Sequence, residues 1–403
     1  MTTTFLDTSV DEALRRGRAI ATTIELRADD ICEVLGGIAS NASIRAEIAD
    51  AAELLRTADI EAERYLTAGS NTRLRVYLPS NNALYSLALF VLLPSLFLDD
   101  VMARPSSRSK TEYLQLMDIL GESASSSARV VDRTQREFAD LSAGCAVVFN
   151  GRPDNGRKLA REIGQCQFLG FGAGPNPVFV GPDLADHTLA AVASTIADVR
   201  MYNNGEDCLC PDIVFVHAAV RKRFRAALVA AIEDIPVTAD RSAPGLVNGP
   251  LSSEGACADV TRQIHSAPAQ LVWRGPAADH PAQCPATVLE GRISDLGGAV
   301  PEYFGPVFNV VEYQHFQQAE NYLMSPGRLR DGMYVWGYGE PHLVGRERVG
   351  TARHIGAMTP FDAESGHEPF GGWGPDASWS MQPTGAPIGR PLLLSDELTR
   401  RSR

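Results

Sequence analysis

Residues 201–211 read Met-Tyr-Asn-Asn-Gly-Glu-Asp-Cys-Leu-Cys-Pro. Gly205, Glu206 and Cys208 there set a cysteine on a glycine-loosened loop ahead of an apolar run, the usual display of a thiol nucleophile. Such a thiol attacks as the thiolate, a minority form at neutral pH for a free cysteine of pKa about 8.5. A lone cysteine is more often a small buried hydrophobe than a catalyst, so the segment needs support from the rest of the chain. Cys210, two residues on, completes Cys-x-Cys, but no second close Cys or His pair supplies four ligands and no metal site is expected. A buried spectator is the plain reading of Cys210, with a reversible Cys208–Cys210 disulfide as its rival.

The elements that must hold this thiol alternate between strand and helix. Residues 9–68 carry helical spacing and predict two or three helices with no strand. A short strand begins at Leu74. Residues 83–98 are almost wholly apolar, yet at sixteen residues broken by Ser86, Pro94 and Ser95 they fall short of the roughly 20 that span a bilayer. A buried helix running into a strand that ends near Arg104 accounts for them. A helix over 110–121 and a strand over 146–149 follow. Further strands are predicted at 178–180, 213–216, 271–273 and 308–310, with helices at 184–201, 218–233 and 253–265. This order indicates an α/β fold with largely parallel sheets.

The chain has 403 residues, 44% of them apolar and 21% charged, enough for two or three domains. Its formal charge of −12 argues against a general affinity for nucleic acid or anionic membranes. Seven scattered cysteines and the absence of a basic-then-apolar leader suit a reducing cytoplasm.

Four segments, in order, resemble the aldehyde dehydrogenase superfamily. Pro79-Ser-Asn81-Asn-Ala-Leu84 is similar to its Pro-Trp-Asn-x-Pro-Leu, and 201–208 to its Phe-x-x-x-Gly-Gln/Glu-x-Cys. Pro301-Glu302-Tyr-Phe304-Gly-Pro-Val307 is similar to Glu-x-Phe-Gly-Pro-Val, and Glu368-Pro-Phe-Gly-Gly372 to the late Pro-Phe-Gly-Gly. The spacing agrees too: Cys208 lies 127 residues after Asn81, and Glu302 lies 94 after Cys208. The resemblance covers about residues 74–395. It implies a Rossmann-type cofactor domain with N-terminal helices (1–173), an α/β catalytic domain (174–375) and a C-terminal segment (376–403) returning to the cofactor domain or to an oligomer interface. The part before Pro79 is shorter than usual, and a homo-oligomer, by default a dimer, is expected. The resemblance also implies an acyl-enzyme on Cys208, an oxyanion held by the Asn81 amide and the Cys208 N–H, a nicotinamide ribose on Glu302 and a nicotinamide ring beside Phe304. Phe171, Tyr202 and Trp373 are expected near the substrate.

Departures from the pattern shape the functional expectation. Where hydrolytic members carry Glu-Leu-Gly-Gly, with its water-activating glutamate, this chain reads Phe171-Gly-Ala-Gly174. A second carboxylate after Pro-Phe-Gly-Gly is also missing, the ungapped position being Met381. A positioned base contributes typically 10²- to 10⁴-fold, so a thioester on Cys208 is expected to outlive water and to exchange with coenzyme A or an acyl carrier protein. The main expectation is therefore an NAD(P)-dependent interconversion of aldehyde and acyl thioester. The alternatives are hydrolytic oxidation with Glu206, Asp207 or Glu364 as a relocated base, and a non-redox acyl transferase or binding protein. In the cofactor site, Arg104-Pro-Ser-Ser107-Arg108 replaces Lys-Pro-Ser/Ala-Glu. Loss of the acid and gain of Arg108 favour NADP over NAD. Gly151-Arg152-Pro-Asp-Asn-Gly156 replaces the phosphate loop, its glycines admitting backbone N–H groups to the pyrophosphate and Arg152 reaching a phosphate.

Overall fold

The computed structural model describes residues 2–125, 127–172, 174–326, 331–383 and 385–401; Ala173, at the expected domain boundary, lies outside the described residues. The first sheet is built on five parallel strands: β1 (Arg73–Tyr77), β2 (Asp100–Arg104), β3 (Ala128–Val130), β4 (Ala146–Asn150) and β5 (Gln167–Phe171). Their spatial order is β5-β4-β1-β2-β3. The order reverses beside β1, and open α/β sheets take ligands in the crevice outside the carboxyl ends of their strands at such a point.

The second sheet contains β6 (Asn176–Val180), β7 (Pro211–His217), β8 (Gln270–Arg274), β9 (Thr287–Arg292), β10 (Val307–Tyr313), β11 (Tyr334–Tyr338), β12 (Arg348–Val349) and β13 (Ala352–His354). Its order is β12-β13-β11-β6-β7-β10-β9-β8, with β11, β6, β7, β10 and β9 parallel. Continuous apolar runs such as Ile213-Val-Phe-Val216 are what strands covered on both faces require. The chain then returns to the first sheet. β14 (Ser378–Met381) pairs antiparallel with β5, and β15 (Ile388–Gly389) pairs antiparallel with β14.

Four helices precede β1, where two or three were expected: Thr2–Leu26, Ala28–Leu35, Asn41–Arg56 and Asp59–Ala68. The periodicity of the segment hides the short breaks at Arg27 and at Thr57-Ala58. The apolar segment forms one buried helical run, Ala83–Leu87, Ala88–Leu92 and Leu93–Ser95, whose middle turn is widened. That widening relieves the clash between the Pro94 ring and the preceding turn. Among the described residues no helix is long and apolar enough to cross a membrane.

β5 and β11 went unforeseen because a glycine dilutes each pattern. Gly170 is required by packing, since a Cβ there would lie 2.4 Å from the Trp379 ring; a Cβ on Gly337 would lie 2.4 Å from a Leu343 methyl and make that side chain shift.

Candidate active site

Helix Asp186–Met201 delivers the chain to a tight turn, Tyr202–Gly205, in which Asn203 and Asn204 have φ of 47° and 56° and Gly205 has φ of 82°. Left-handed backbone at two non-glycine residues is costly and persists only where the surroundings fix it. Here they do. Asn203 Oδ1 accepts from Ser40 N (3.0 Å) and Ser43 Oγ (3.2 Å), and Asn204 Oδ1 accepts from Gly249 N (2.7 Å). Gly205 has a second reason to be glycine, since a Cβ there would lie 2.4 Å from the Gly305 carbonyl oxygen.

The following residues are fixed one by one. Both Glu206 oxygens accept from Ser252, through its N–H and its hydroxyl, each at 2.6 Å. Asp207 accepts from Leu209 N and from Asn82 Nδ2, each at 2.8 Å. Asn176 Nδ2 donates to the Cys208 carbonyl at 2.7 Å while its Oδ1 accepts from Tyr334 N at 3.1 Å, so one buried amide ties the Cys208 backbone to β6 and β11. Cys210 is a buried thiol donating to the Val199 carbonyl at 3.2 Å, and all seven cysteines are free.

The Cys208 side chain opens on a cavity of about 260 Å³ whose wall includes Asn82, Tyr202, Asp207, Glu364 and Phe370. Burial pushes its thiol well above the usual range, and the charges of Asp207, Glu364 and Glu302 push the same way. The free site therefore holds a thiol, not a thiolate. Among the described residues no hydrogen bond occupies the Cys208 N–H, which leaves it available to an oxyanion. Asn82, in left-handed conformation (φ 49°), lines the cavity with a second amide proton to spare. Asn81, the expected donor, is half-buried one residue earlier and is not in the cavity wall.

Of the three carboxyl groups weighed as a relocated base, Glu206 and Asp207 are committed to the hydrogen bonds above. Glu364 is different. It lines the cavity, no hydrogen bond among the described residues engages its carboxyl, and burial followed by repulsion from Asp207 and Asp50 pushes it up to about 8. Phe171 at the end of β5 is 5% exposed and packs against Phe90 and Phe370, ring centroids 4.8 and 6.2 Å away, so it backs the wall without lining it. Tyr202 lines the cavity. Trp373 does not, and carries the Arg348 guanidinium 5.7 Å from its ring centroid.

The carboxyl ends of β1 and β4 lead to Asn82, which donates to Asp207, and to Arg152, whose charge acts on Glu302. Segment 302–305 is clamped by a fully buried pair, Arg200 and Asp212, each with a 1% exposed side chain. Arg200 donates to the carbonyls of Gly205, Pro211, Tyr303 and Gly305, and Asp212 accepts from Tyr303 N at 2.7 Å. Among the described residues Glu302 Oε1 is buried without a hydrogen-bond partner; burial, followed by repulsion from Asp212 and Asp331, holds its carboxyl well above the usual range, with Arg200 and Arg152 opposing. A buried carboxyl oxygen with no protein partner among the described residues fits the ribose hydroxyls expected at Glu302. Phe304 is half-buried in the same segment.

Arg152 caps helix Pro153–Ile163 without a side-chain hydrogen bond, leaving the helix start open to an anion. Gly151 (φ 145°) follows β4. Gly156 serves packing instead of backbone approach, because a Cβ there would lie 3.0 Å from the Phe149 ring and 3.3 Å from Trp379. Arg104 Nε donates to the Arg133 carbonyl at 2.9 Å; Ser107 and Arg108 are exposed in the loop after β2. Asn82 and Asn176 were missed in the sequence. Asn176 lies between two prolines at a strand start, a pattern that could have marked it.

The aldehyde dehydrogenase family model matches residues 130–325. The N-succinylglutamate 5-semialdehyde dehydrogenase of Vibrio cholerae is 28% identical over 250 residues, 59% of this chain and 46% of that protein. The vanillin dehydrogenase of Corynebacterium glutamicum is 30% identical over 175 residues, 41% of this chain and 34% of that protein. The matched region thus spans less than half the length of these relatives. Among solved structures, the lactaldehyde dehydrogenase of Escherichia coli superposes with a TM-score of 0.77 at 19% identity, over 97% of this chain and 86% of that one. The succinic semialdehyde dehydrogenase of Streptococcus pyogenes, in complex with NADP+, gives 0.75 at 17%, over 96% and 89%.

Proposed function

Because the chain belongs to the aldehyde dehydrogenase superfamily, we propose that it oxidises an aldehyde to the carboxylic acid with NADP or NAD, Glu364 serving as the base that the Phe171 position lacks. One observation carries the reading: of the three carboxyl groups weighed as a relocated base, Glu364 is the one that lines the Cys208 cavity with no hydrogen bond to its carboxyl among the described residues, and it is pushed up to about 8. The names of the curated relatives, which describe dehydrogenation of a semialdehyde and of vanillin with no acyl acceptor, support water over coenzyme A.

In this mechanism the Cys208 sulfur attacks the carbonyl carbon and gives up its proton to a neighbouring carboxylate as the C–S bond forms. The Cys208 N–H and Asn82 Nδ2 donate to the developing oxyanion, single donors of this kind being worth about 3 kcal/mol. The bound nicotinamide cofactor supplies the hydride acceptor. Glu302 Oε1 would accept from ribose hydroxyls, Phe304 would flank the ring, and Arg152 with the start of helix Pro153–Ile163 would face the pyrophosphate. The loop carrying Arg104, Ser107 and Arg108 would meet the adenosine ribose, and the lack of an acid there favours NADP. Glu364 then takes a proton from the water that adds to the Cys208 thioester. Collapse releases the acid and restores the thiol.

Single-turnover mass spectrometry of wild type and Glu364→Gln with an aldehyde and NADP tests this. Wild type is expected to release acid without any added thiol, and the variant to accumulate the Cys208 acyl adduct, deacylating about 10²- to 10⁴-fold more slowly. An adduct that persists in wild type until coenzyme A is added would establish acyl transfer to a thiol instead.

A further inference from the structure

Helix Asn41–Arg56 sets Glu47, Asp50 and Leu54 on one face by their spacing of three and four, and Thr57 continues the stripe. All four line the cavity that holds Cys208, with Glu53 at their side. Asp207 and Glu364 close on the same space, so five carboxyl groups surround it: Glu47, Asp50, Glu53, Asp207 and Glu364. No lysine or arginine is among the lining residues. His367 is, but its two nitrogens are paired with Glu61 (2.7 Å) and Thr57 (2.9 Å).

Glu47 is 4% exposed, and its Oε2 accepts from Leu84 N (2.9 Å) and Tyr85 N (3.1 Å). Among the described residues no hydrogen bond reaches its Oε1. Burial, opposed by those two bonds and reinforced by repulsion from Asp207 and Asp50, pushes Glu47 up to about 8. Tyr85, Tyr202, Phe361 and Phe370 add aromatic side chains to the wall, Tyr202 and Phe361 with ring centroids 4.4 Å apart. Aromatic faces beside carboxylates are the surroundings that bind an ammonium group. Among the described residues no three His, Cys, Asp or Glu side chains are grouped so as to hold a metal ion, which favours an organic cation over a divalent one. At about 260 Å³ the cavity lies below the roughly 300–1,000 Å³ of drug-sized sites and suits a short chain.

Building on the aldehyde oxidation proposed above, we infer that the substrate is a short aldehyde carrying an ammonium group, its carbonyl at Cys208 and its cation among Glu47, Asp50 and Glu53. The helical stripe leads from exposed Glu53 and Asp50 to buried Glu47, a run of carboxyl groups from solvent into the cavity that holds Cys208. An aldehyde with a terminal carboxylate meets like charge along the same path.

The test compares kcat/KM of the full-length protein for three aldehydes of one chain length: ω-ammonium, uncharged and ω-carboxylate. The ammonium compound is expected to lead the uncharged one by about tenfold or more, each partly exposed ion pair being worth about fivefold. The double variant Asp50→Asn, Glu53→Gln should bring that ratio toward one, and added salt should raise KM for the ammonium substrate above all. A second readout needs no turnover: calorimetric titration of the ω-ammonium alcohol against the uncharged alcohol, with slowing of Cys208 alkylation by iodoacetamide as the reporter of occupancy. Equal binding of the two alcohols, or equal kcat/KM of the ammonium and uncharged aldehydes, overturns the cation assignment whatever the enzyme oxidises. Binding and protection by the ammonium alcohol without oxidation of any aldehyde leaves the cation assignment standing and removes the oxidation reading.

Discussion

Around Cys208 the nearest charges are negative, and this decides how the thiol behaves. Asp207 stands first among them, so Asp207→Asn should lower the thiol's pKa and speed its alkylation by iodoacetamide at fixed pH. A slower or unchanged rate would show that the Asp207 charge does not reach the sulfur. Glu364 sets a second expectation. A base pushed up to about 8 is mostly protonated at pH 6 and mostly ionised at pH 9. Deacylation should therefore climb through about pH 8, and Glu364→Gln should flatten that limb. At this scale the sequence marked its candidates: the glycine-loosened cysteine segment and the Glu302 segment were both visible as residue types at fixed intervals. It offered two equal amides at Asn81 and Asn82, of which Asn82, with its left-handed backbone, is the one in the cavity wall. The acidic wall was not legible, since Glu47 and Asp50 are 158 or more residues from Cys208 in the chain and read as the solvated face of an ordinary helix.

Among the elements, the junction between the cysteine turn and segment 302–305 rests on Arg200, whose guanidinium reaches four carbonyls and Asp212. Removing one partner of a fully buried pair leaves the other charge uncompensated, which costs about 3–5 kcal/mol. Arg200→Ala should lower the urea midpoint by a corresponding amount, whereas the surface change Arg262→Ala, at an exposed i,i+3 pair, should leave it nearly unmoved. Equal midpoints for wild type and Arg200→Ala would refute the clamp. Helices and apolar parallel strands were legible here because their periodicity is local. The clamp was not, because an arginine in a helix looks the same whether it faces water or, as here, is enclosed by backbone carbonyls from three separate segments.

For the molecule as a whole, two carboxyl groups held near 8 make stability depend on pH. Both folded-state values, for Glu47 and Glu364, lie above the ordinary 4.5, so folding favours the protonated forms. Their contribution is fully present below about 4.5 and is lost as pH rises through about 8. Urea midpoints should fall between pH 6 and pH 9, less steeply for Glu47→Gln with Glu364→Gln; a midpoint that rises over this interval would contradict the burial of these groups. Helix Asn41–Arg56, which furnishes most of the acidic wall, lies outside residues 130–325, where the family likeness is found. Of the proposed chemistry, Cys208 and Glu302 fall inside that stretch, while Asn82 and Glu364 stand outside it with most of the cavity wall, so the likeness reaches the thiol and leaves most of its surroundings unspoken for.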